Sequence, residues 1–322
     1  MTIAIIGGAG FVGTRLASVM STSGTDYQIF DKVLDGNNYV DITKPETFNS
    51  LPQIDSIINL AAEHRDDVTP KSLYDLVNVE GSRNVCNFCR ERNINNIIFT
   101  SSVAVYGFAP QGTDESGDIN YFNDYGRTKY LAENVYREWY DEDPENRNLM
   151  IVRPTVIFGE ANRGNVYNLL NQIASGKFLM FGDGNNRKSM AYVQNVAEFL
   201  QYSTALTGYN LYNYIDKPDL DMNTLVSTTR YTLFKKRGVG FRFPAWLGVV
   251  AGHGFDLLAV ILRKKLPISS IRVKKFMGTT AFNTSIADTG FKPSVAMEEG
   301  LKNTLKYEFL EDNSAEKTFF TE

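Results

Sequence analysis

Thr2-Ile3-Ala4-Ile5-Ile6-Gly7-Gly8-Ala9-Gly10-Phe11-Val12-Gly13 is a short apolar strand that runs into a glycine turn, with Gly7, Gly10 and Gly13 spaced three apart. Glycines at that spacing permit a tight bend and let backbone approach a phosphate, which then rests at the N-terminus of the following helix. The spacing alone is weak evidence, but its setting strengthens it. Val12–Ser21 reads as a helix, and the next strand, Tyr27–Phe30, ends on Asp31. A carboxylate there accepts hydrogen bonds from adenosine ribose hydroxyls and repels a 2′-phosphate, so the expected dinucleotide is NAD rather than NADP. Asp41 and Ile42 are placed to frame the adenine, although an ordinary acidic turn accounts for Asp41 equally well. Leu60, Ala61 and Ala62 end the following apolar strand with small residues, as backbone passing close to a cofactor requires.

Working outward, strand signals at 2–6, 27–30, 56–60, 96–100 and 149–152 alternate with helical stretches at 12–21, 72–92 and 125–139. Such alternation implies βαβ units and a parallel sheet. The expected class is therefore α/β, a Rossmann-type doubly wound parallel sheet with a smaller, mixed C-terminal substrate lobe. After Pro154 the pattern turns irregular, with Gly159, Gly164, Gly182 and Gly184 marking loops. Residues 1–158, with a return segment near 189–216, are expected to form the cofactor domain. Residues 159–188 and 217–322 are expected to form the substrate lobe.

Composition narrows the function classes. The chain has 322 residues, 43% of them apolar, enough for one large α/β domain or two closely joined ones. A net charge of −4 gives no reason to expect nucleic acid. Cys86 and Cys89 are too few for a disulfide framework. They lack a second ligand pair and share a helix face, so they are expected in a core, and no metal site is expected. The N-terminus lacks the basic region and cleavage site of a signal peptide, and no apolar run of spanning length exists. A cytoplasmic protein is the expectation.

The chemistry is carried by Tyr125-Gly126-Arg127-Thr128-Lys129, which follows Ser102 of Thr100-Ser101-Ser102-Val103-Ala104-Val105-Tyr106-Gly107. Residues i and i+4 share a helix face, so Tyr125 and Lys129 can project into one cleft. A free phenol titrates near 10. A neighbouring ammonium stabilises the phenolate, and the lysine can also bond the nicotinamide ribose. Ser102 ends its strand where open α/β sheets place ligands, and it would bond the reacting oxygen. With the glycine turn and Asp31 in order before them, these residues describe hydride removal from a secondary alcohol. Asn78 is expected among the cofactor residues, in support of the catalytic helix.

Residues 235–275 differ in character, with ten basic residues against one acid (Asp256), a local +9. The apolar segment Trp246–Leu262 lies inside that frame. It reads either as a helical lobe with a solvated basic rim or as an interfacial surface whose cations meet anionic headgroups.

These motifs resemble the extended short-chain dehydrogenase/reductase family, in particular its sugar epimerase/dehydratase branch. The similarity continues through Arg153-Pro154, Phe181-Gly182-Asp183-Gly184, Met190–Ala197 and Gly290–Thr304. It implies that Pro154 lies by the nicotinamide. It also implies that Lys188, where the nucleotide-sugar branch has an arginine, faces a substrate diphosphate, with Arg272 as a second contact from the C-terminal lobe. Val103 and Asn165 join the implied substrate residues. Ala61–Val68, Arg163–Leu170, Lys188–Val193 and Arg272–Phe276 are similar to a bacterial subgroup of 4-epimerases for amino sugars on polyprenyl diphosphate, which act in O-antigen assembly. That likeness implies a peripheral enzyme on the inner face of the cytoplasmic membrane, and it is compatible with a homodimer.

Dehydratases of this branch carry Asp-Glu directly after the serine or threonine; here Val103-Ala104 occupy that place, which disfavours dehydration. An epimerase needs only that the keto sugar turn over and accept the hydride on its other face. The rival readings are an epimerase for UDP-N-acetylglucosamine, a sugar-precursor reductase, and a non-catalytic NAD-binding protein.

Overall fold

In a computed structural model, residues 1–65, 68–248, 250 and 278–321 are described. Five apolar runs become strands: β1 (Ile3–Ile6), β2 (Tyr27–Phe30), β3 (Ser56–Asn59), β4 (Asn96–Thr100) and β5 (Asn148–Pro154). A further strand, Tyr209–Tyr214, completes a six-stranded sheet. From one edge the order is Tyr209–Tyr214, β5, β4, β3, β1, β2, and every pairing is parallel. Chain order reverses at β1, which lies between β2 and β3; ligands in such sheets bind at the carboxyl ends of strands at this switch.

Successive strand residues point to opposite faces, and both faces are apolar. Ala4, Ile6, Ile57, Ile97, Phe99, Leu149 and Ile151 pack with Val85, Phe88, Ala132 and Trp139 on one side. Ile3, Ile5, Ile58, Ile98, Met150 and Val152 meet Leu16, Met20, Val196 and Leu200 on the other. Cys86 and Cys89 lie within the first of these cores, and burial pushes the Cys86 thiol up to about 12. They are core residues of the helix Gly81–Arg92.

A separate apolar cluster forms around Phe158, Leu170, Met190, Leu225, Met297 and Leu301. Its helices are Asn165–Ala174, Met222–Phe234 and Met297–Phe309, and its strands are pairs only two or three residues long. Among the described residues, no helix is long and apolar enough to cross a membrane.

Candidate active site

The glycine turn sits at the carboxyl end of β1, and helix α1 (Phe11–Ser23) follows it directly. A Cβ on Gly13 would lie 2.6 Å from the Gly7 carbonyl oxygen, so only glycine lets the helix start this close to the strand. The Ala9 N–H donates to Asp31 Oδ2 at 3.2 Å, which ties the turn to the end of β2. The turn forms one end of a cavity of about 600 Å³. Lining it are Gly7, Gly10, Phe11, Val12, Gly13, Asp31, Asp41, Ile42, Leu60, Ala61, Ala62 and Pro154, together with Tyr125, Lys129 and Ser102.

The catalytic helix spans Asp124–Asp141 and is capped by Asn123, whose side chain accepts from the Gly126 N–H at 2.9 Å. Arg127 makes a two-point ion pair with Asp75 at 2.8 and 2.7 Å, holding the first helical turn against its neighbour. A Cβ on Gly126 would come within 2.4 Å of the Ala104 carbonyl. The glycine therefore lets the helix press onto the turn Val103–Tyr106, which brings the Tyr125 phenol into hydrogen bonding with Ser102. Ser102 Oγ also accepts from the Ala104 N–H at 3.1 Å, which fixes its rotamer.

The electrostatics differ from the expectation that Lys129 lowers the phenol. Burial pushes Tyr125 up to about 12, opposed by the Ser102 hydrogen bond. Burial also pushes Lys129 down to about 7, with Glu133 opposing. Lys129 Nζ lies 4.3 Å from the centre of the Phe99 ring, in an apolar slot that desolvates the ammonium. The protein's own groups thus leave the phenol protonated. Activation of the phenol needs a further positive charge in the cavity.

Asn78 does not line the cavity. It lies one layer behind, within the π-type turn Asp75–Glu80 that interrupts the helical run 72–92. Its amide donates to Thr128 Oγ1 and to the Glu63 carbonyl, each at 2.9 Å, and accepts from the Glu63 N–H at 2.8 Å. The reason is geometric: the side chain is consumed by backbone and by the catalytic helix, so it braces the site without facing a ligand.

Val103 and Asn165 line the cavity as expected of substrate residues. Lys188 does not; its Nζ donates to Thr280 Oγ1 at 3.3 Å, and Thr280 lines the wall. Arg272 lies outside the described residues, as do most of the Trp246–Leu262 segment and the basic residues Arg263, Lys264, Lys265, Lys274 and Lys275. Sequence reading missed Lys32, His64, Asn162, Thr280 and Thr321, which also line the cavity. Lys32 directly follows Asp31 and His64 lies within the quoted Ala61–Val68 stretch, but Thr280 and Thr321 arrive through long-range folding that no local pattern announces.

The cavity suits a dinucleotide on its own chemistry. One end offers a helix N-terminus and a glycine cradle, and Asp31 stands beside that turn at the end of β2, on the cavity wall. Thr100 Oγ1, buried in the wall, has no hydrogen-bond partner among the described residues and is available to a ligand. Asp31 and Asp41 are the only carboxylates on the cavity wall among the described residues, and no acid stands beside Ser102.

Comparison with known proteins agrees. Residues 3–208 match the model of the NAD dependent epimerase/dehydratase family. An Escherichia coli O157:H7 protein, N-acetyl-alpha-D-glucosaminyl-diphospho-ditrans,octacis-undecaprenol 4-epimerase, is 47% identical over 99% of each chain. The sterol-4-alpha-carboxylate 3-dehydrogenase of Saccharomyces cerevisiae is 26% identical over 95% of this chain and 97% of its own. Among solved structures, a Thermotoga maritima UDP-glucose 4-epimerase with UDP-glucose superposes with a TM-score of 0.72 at 20% identity, covering 97% of this chain and 100% of that one. A Thermus thermophilus UDP-glucose 4-epimerase with NAD gives 0.71 at 17%, covering 95% and 98%.

Proposed function

The chain belongs to the NAD dependent epimerase/dehydratase family, and on that footing we propose that it inverts C4 of N-acetylglucosamine carried on undecaprenyl diphosphate. The observation that carries this reading is the match to the E. coli O157:H7 4-epimerase along essentially the whole of both chains. The cavity supports the epimerase step independently. Ser102 is followed by Val103 and Ala104, and among the described cavity residues no acid stands beside Ser102 to eliminate water.

In this mechanism Tyr125, oriented by Ser102, takes the proton of the C4 hydroxyl and later returns it. NAD⁺, which the glycine turn and Asp31 would hold in this cavity, would supply the hydride acceptor and donor for C4 and a positive charge for the phenol. Lys129 stands one helical turn behind the phenol and takes the developing negative charge as a proton donor or cation. Ser102 follows the oxygen from alcohol to ketone and back. Each turnover ends with the cofactor oxidised, so no external reductant is consumed.

A lipid-linked substrate keeps its tail in the bilayer, and the proposal places the enzyme peripherally at the inner membrane face, in surface polysaccharide assembly. The residues around the second apolar cluster would serve as its substrate lobe. Supporting the membrane reading, Phe241 is 90% exposed and Trp246 63%, beside exposed Lys235, Lys236, Arg237 and Arg242. Nearer the cavity, Phe108 and Phe122 are also exposed, with ring centroids 4.7 Å apart, and Phe108 follows the cavity residue Gly107. Exposed aromatics framed by cations suit an anionic interface.

Purified enzyme offered N-acetylglucosamine on undecaprenyl diphosphate or on UDP should invert C4 of the lipid-linked sugar. Turnover of the UDP form alone overturns the lipid assignment and leaves the soluble-sugar epimerase standing. The wild type should also float with vesicles containing phosphatidylglycerol, and Arg263→Glu/Lys264→Glu/Lys265→Glu should remain at the bottom of the gradient. Wild-type protein that stays there contradicts the membrane assignment.

A further inference from the structure

The final described residues cross from one wall of the cofactor cavity to the other. Lys317 Nζ donates to the Ala9 carbonyl, inside the glycine turn, at 2.9 Å. The Phe319 ring lies against Phe11 at the start of α1, with centroids 5.8 Å apart. On the opposite wall, the Phe319 N–H donates to the Ala161 carbonyl at 2.8 Å, and its carbonyl accepts from the Arg163 N–H at 2.7 Å. Thr321 Oγ1 donates to Asn162 Oδ1 at 2.7 Å, and both residues line the cavity. The receiving loop is itself anchored, because Glu308 accepts from the Ala161 N–H at 2.8 Å and pairs with Arg163.

We propose that residues 317–321 form part of the NAD site, as a clasp over the pyrophosphate end of the cavity. Two features carry the inference. First, Lys317 brings an ammonium to the glycine turn, next to the cavity residues Gly10 and Phe11, where it adds positive potential for a dianionic pyrophosphate. Second, the segment bonds to both walls, so a dinucleotide beneath it leaves only when those bonds open. The chemistry gives such a clasp a purpose. A hydride that must return to the same sugar requires the reduced cofactor and the keto sugar to stay together between the two half-reactions. A dehydrogenase that exchanges its cofactor every turnover has no such requirement.

The inference concerns NAD alone and holds whichever sugar carrier the enzyme uses, so it is tested without sugar. The probes are NAD⁺ content in acid extracts of the purified protein and the dissociation rate of bound NADH, chased with excess NAD⁺ and followed by fluorescence. Truncation after Glu316 should raise the NADH dissociation rate on the order of 10-fold or more, since lost contacts appear mainly in the off-rate. Lys317→Met/Phe319→Leu should move it in the same direction and, because Lys317 is exposed and leucine keeps apolar contact at the half-buried Phe319 position, lower the urea midpoint only slightly. If truncation unfolds the chain, the double variant decides by the same readout. A folded variant that retains NAD⁺ and releases NADH at the wild-type rate overturns the proposal.

Discussion

Tyr125→Phe is expected to lower kcat by about 10²–10⁴-fold, the contribution of a positioned proton-transfer group. NAD content and thermal stability should stay nearly unchanged. The substitution removes one oxygen and keeps the ring, so the packing of the catalytic helix on the Val103–Tyr106 turn survives. What disappears is the atom that Ser102 orients and that burial holds up near 12. The buried phenol also predicts how the wild type fails with pH. Lys129 is held down to about 7, so its ammonium is present below that value and lost as pH rises through it. A nicotinamide ring held near the phenol would add a local positive charge, which disfavours the ammonium and favours the phenolate. The variant keeps Lys129, so its residual rate, measured by C4 inversion in single turnover, should keep whatever pH dependence near 7 comes from the lysine and lose only the part that comes from the phenol. A Tyr125→Phe enzyme within 10-fold of wild type would mean another group moves the proton.

Local patterns made the sheet and the reacting pair legible. β1 is an uninterrupted apolar run, and β3 and β4 have apolar centres at Ile57-Ile58 and Ile97-Ile98-Phe99, because both of their faces are buried; such runs are hard to mistake for surface elements. The strand Tyr209–Tyr214 is written Tyr-Asn-Leu-Tyr-Asn-Tyr and lies at the sheet edge, where Asn210 bonds to the Thr207 carbonyl and the buried Asn213 bonds to Tyr106 and Asn283, so no apolar run announces it. The glycine turn, Asp31 and Tyr125-x-x-x-Lys129 each concern residues close in sequence, and the structure gathers them in one cavity. Asn78 supports the catalytic helix as its place suggests, through Thr128, while its bonds to Glu63, made from within a π-type turn, carry no local sequence signal. Gly126 held a signal that was read past: beside a catalytic tyrosine, glycine marks a close backbone approach. Thr280, Asn162 and Thr321 had no signal, since their place depends on segments that meet only after the whole chain folds.

The electrostatic effect at Lys129 was equally beyond sequence reach, because burial decides it, and the same burial makes Glu133 the most sensitive position behind the site. Glu133 is fully buried one turn beyond Lys129. Its carboxylate accepts from Ser101 Oγ at 2.6 Å, Arg153 Nε at 2.8 Å, Arg153 Nη2 at 2.6 Å and Arg137 Nη2 at 2.9 Å. Arg153 continues to the Tyr106 hydroxyl at 2.7 Å, which donates to Asn213 Oδ1 at 2.8 Å. One carboxylate therefore locks the neighbours of Ser102 and Pro154 to the helix that carries Tyr125 and Lys129. Glu133→Ala strands a buried guanidinium and should cost about 3–5 kcal/mol, read as a lower urea midpoint with an unchanged slope. Removing both charges with Glu133→Leu/Arg153→Met should recover most of that loss, since an apolar pair of similar volume is often as stable as a buried ion pair. Activity should not recover with it. The apolar pair restores packing but neither orients Ser101 nor offsets the burial of Lys129, so a stable double variant with low kcat is the expected outcome. Full recovery of both stability and kcat would reduce the network to a packing device. A loss below 1 kcal/mol in Glu133→Ala would mean that water reaches Arg153 and that the carboxylate does not hold these strands together.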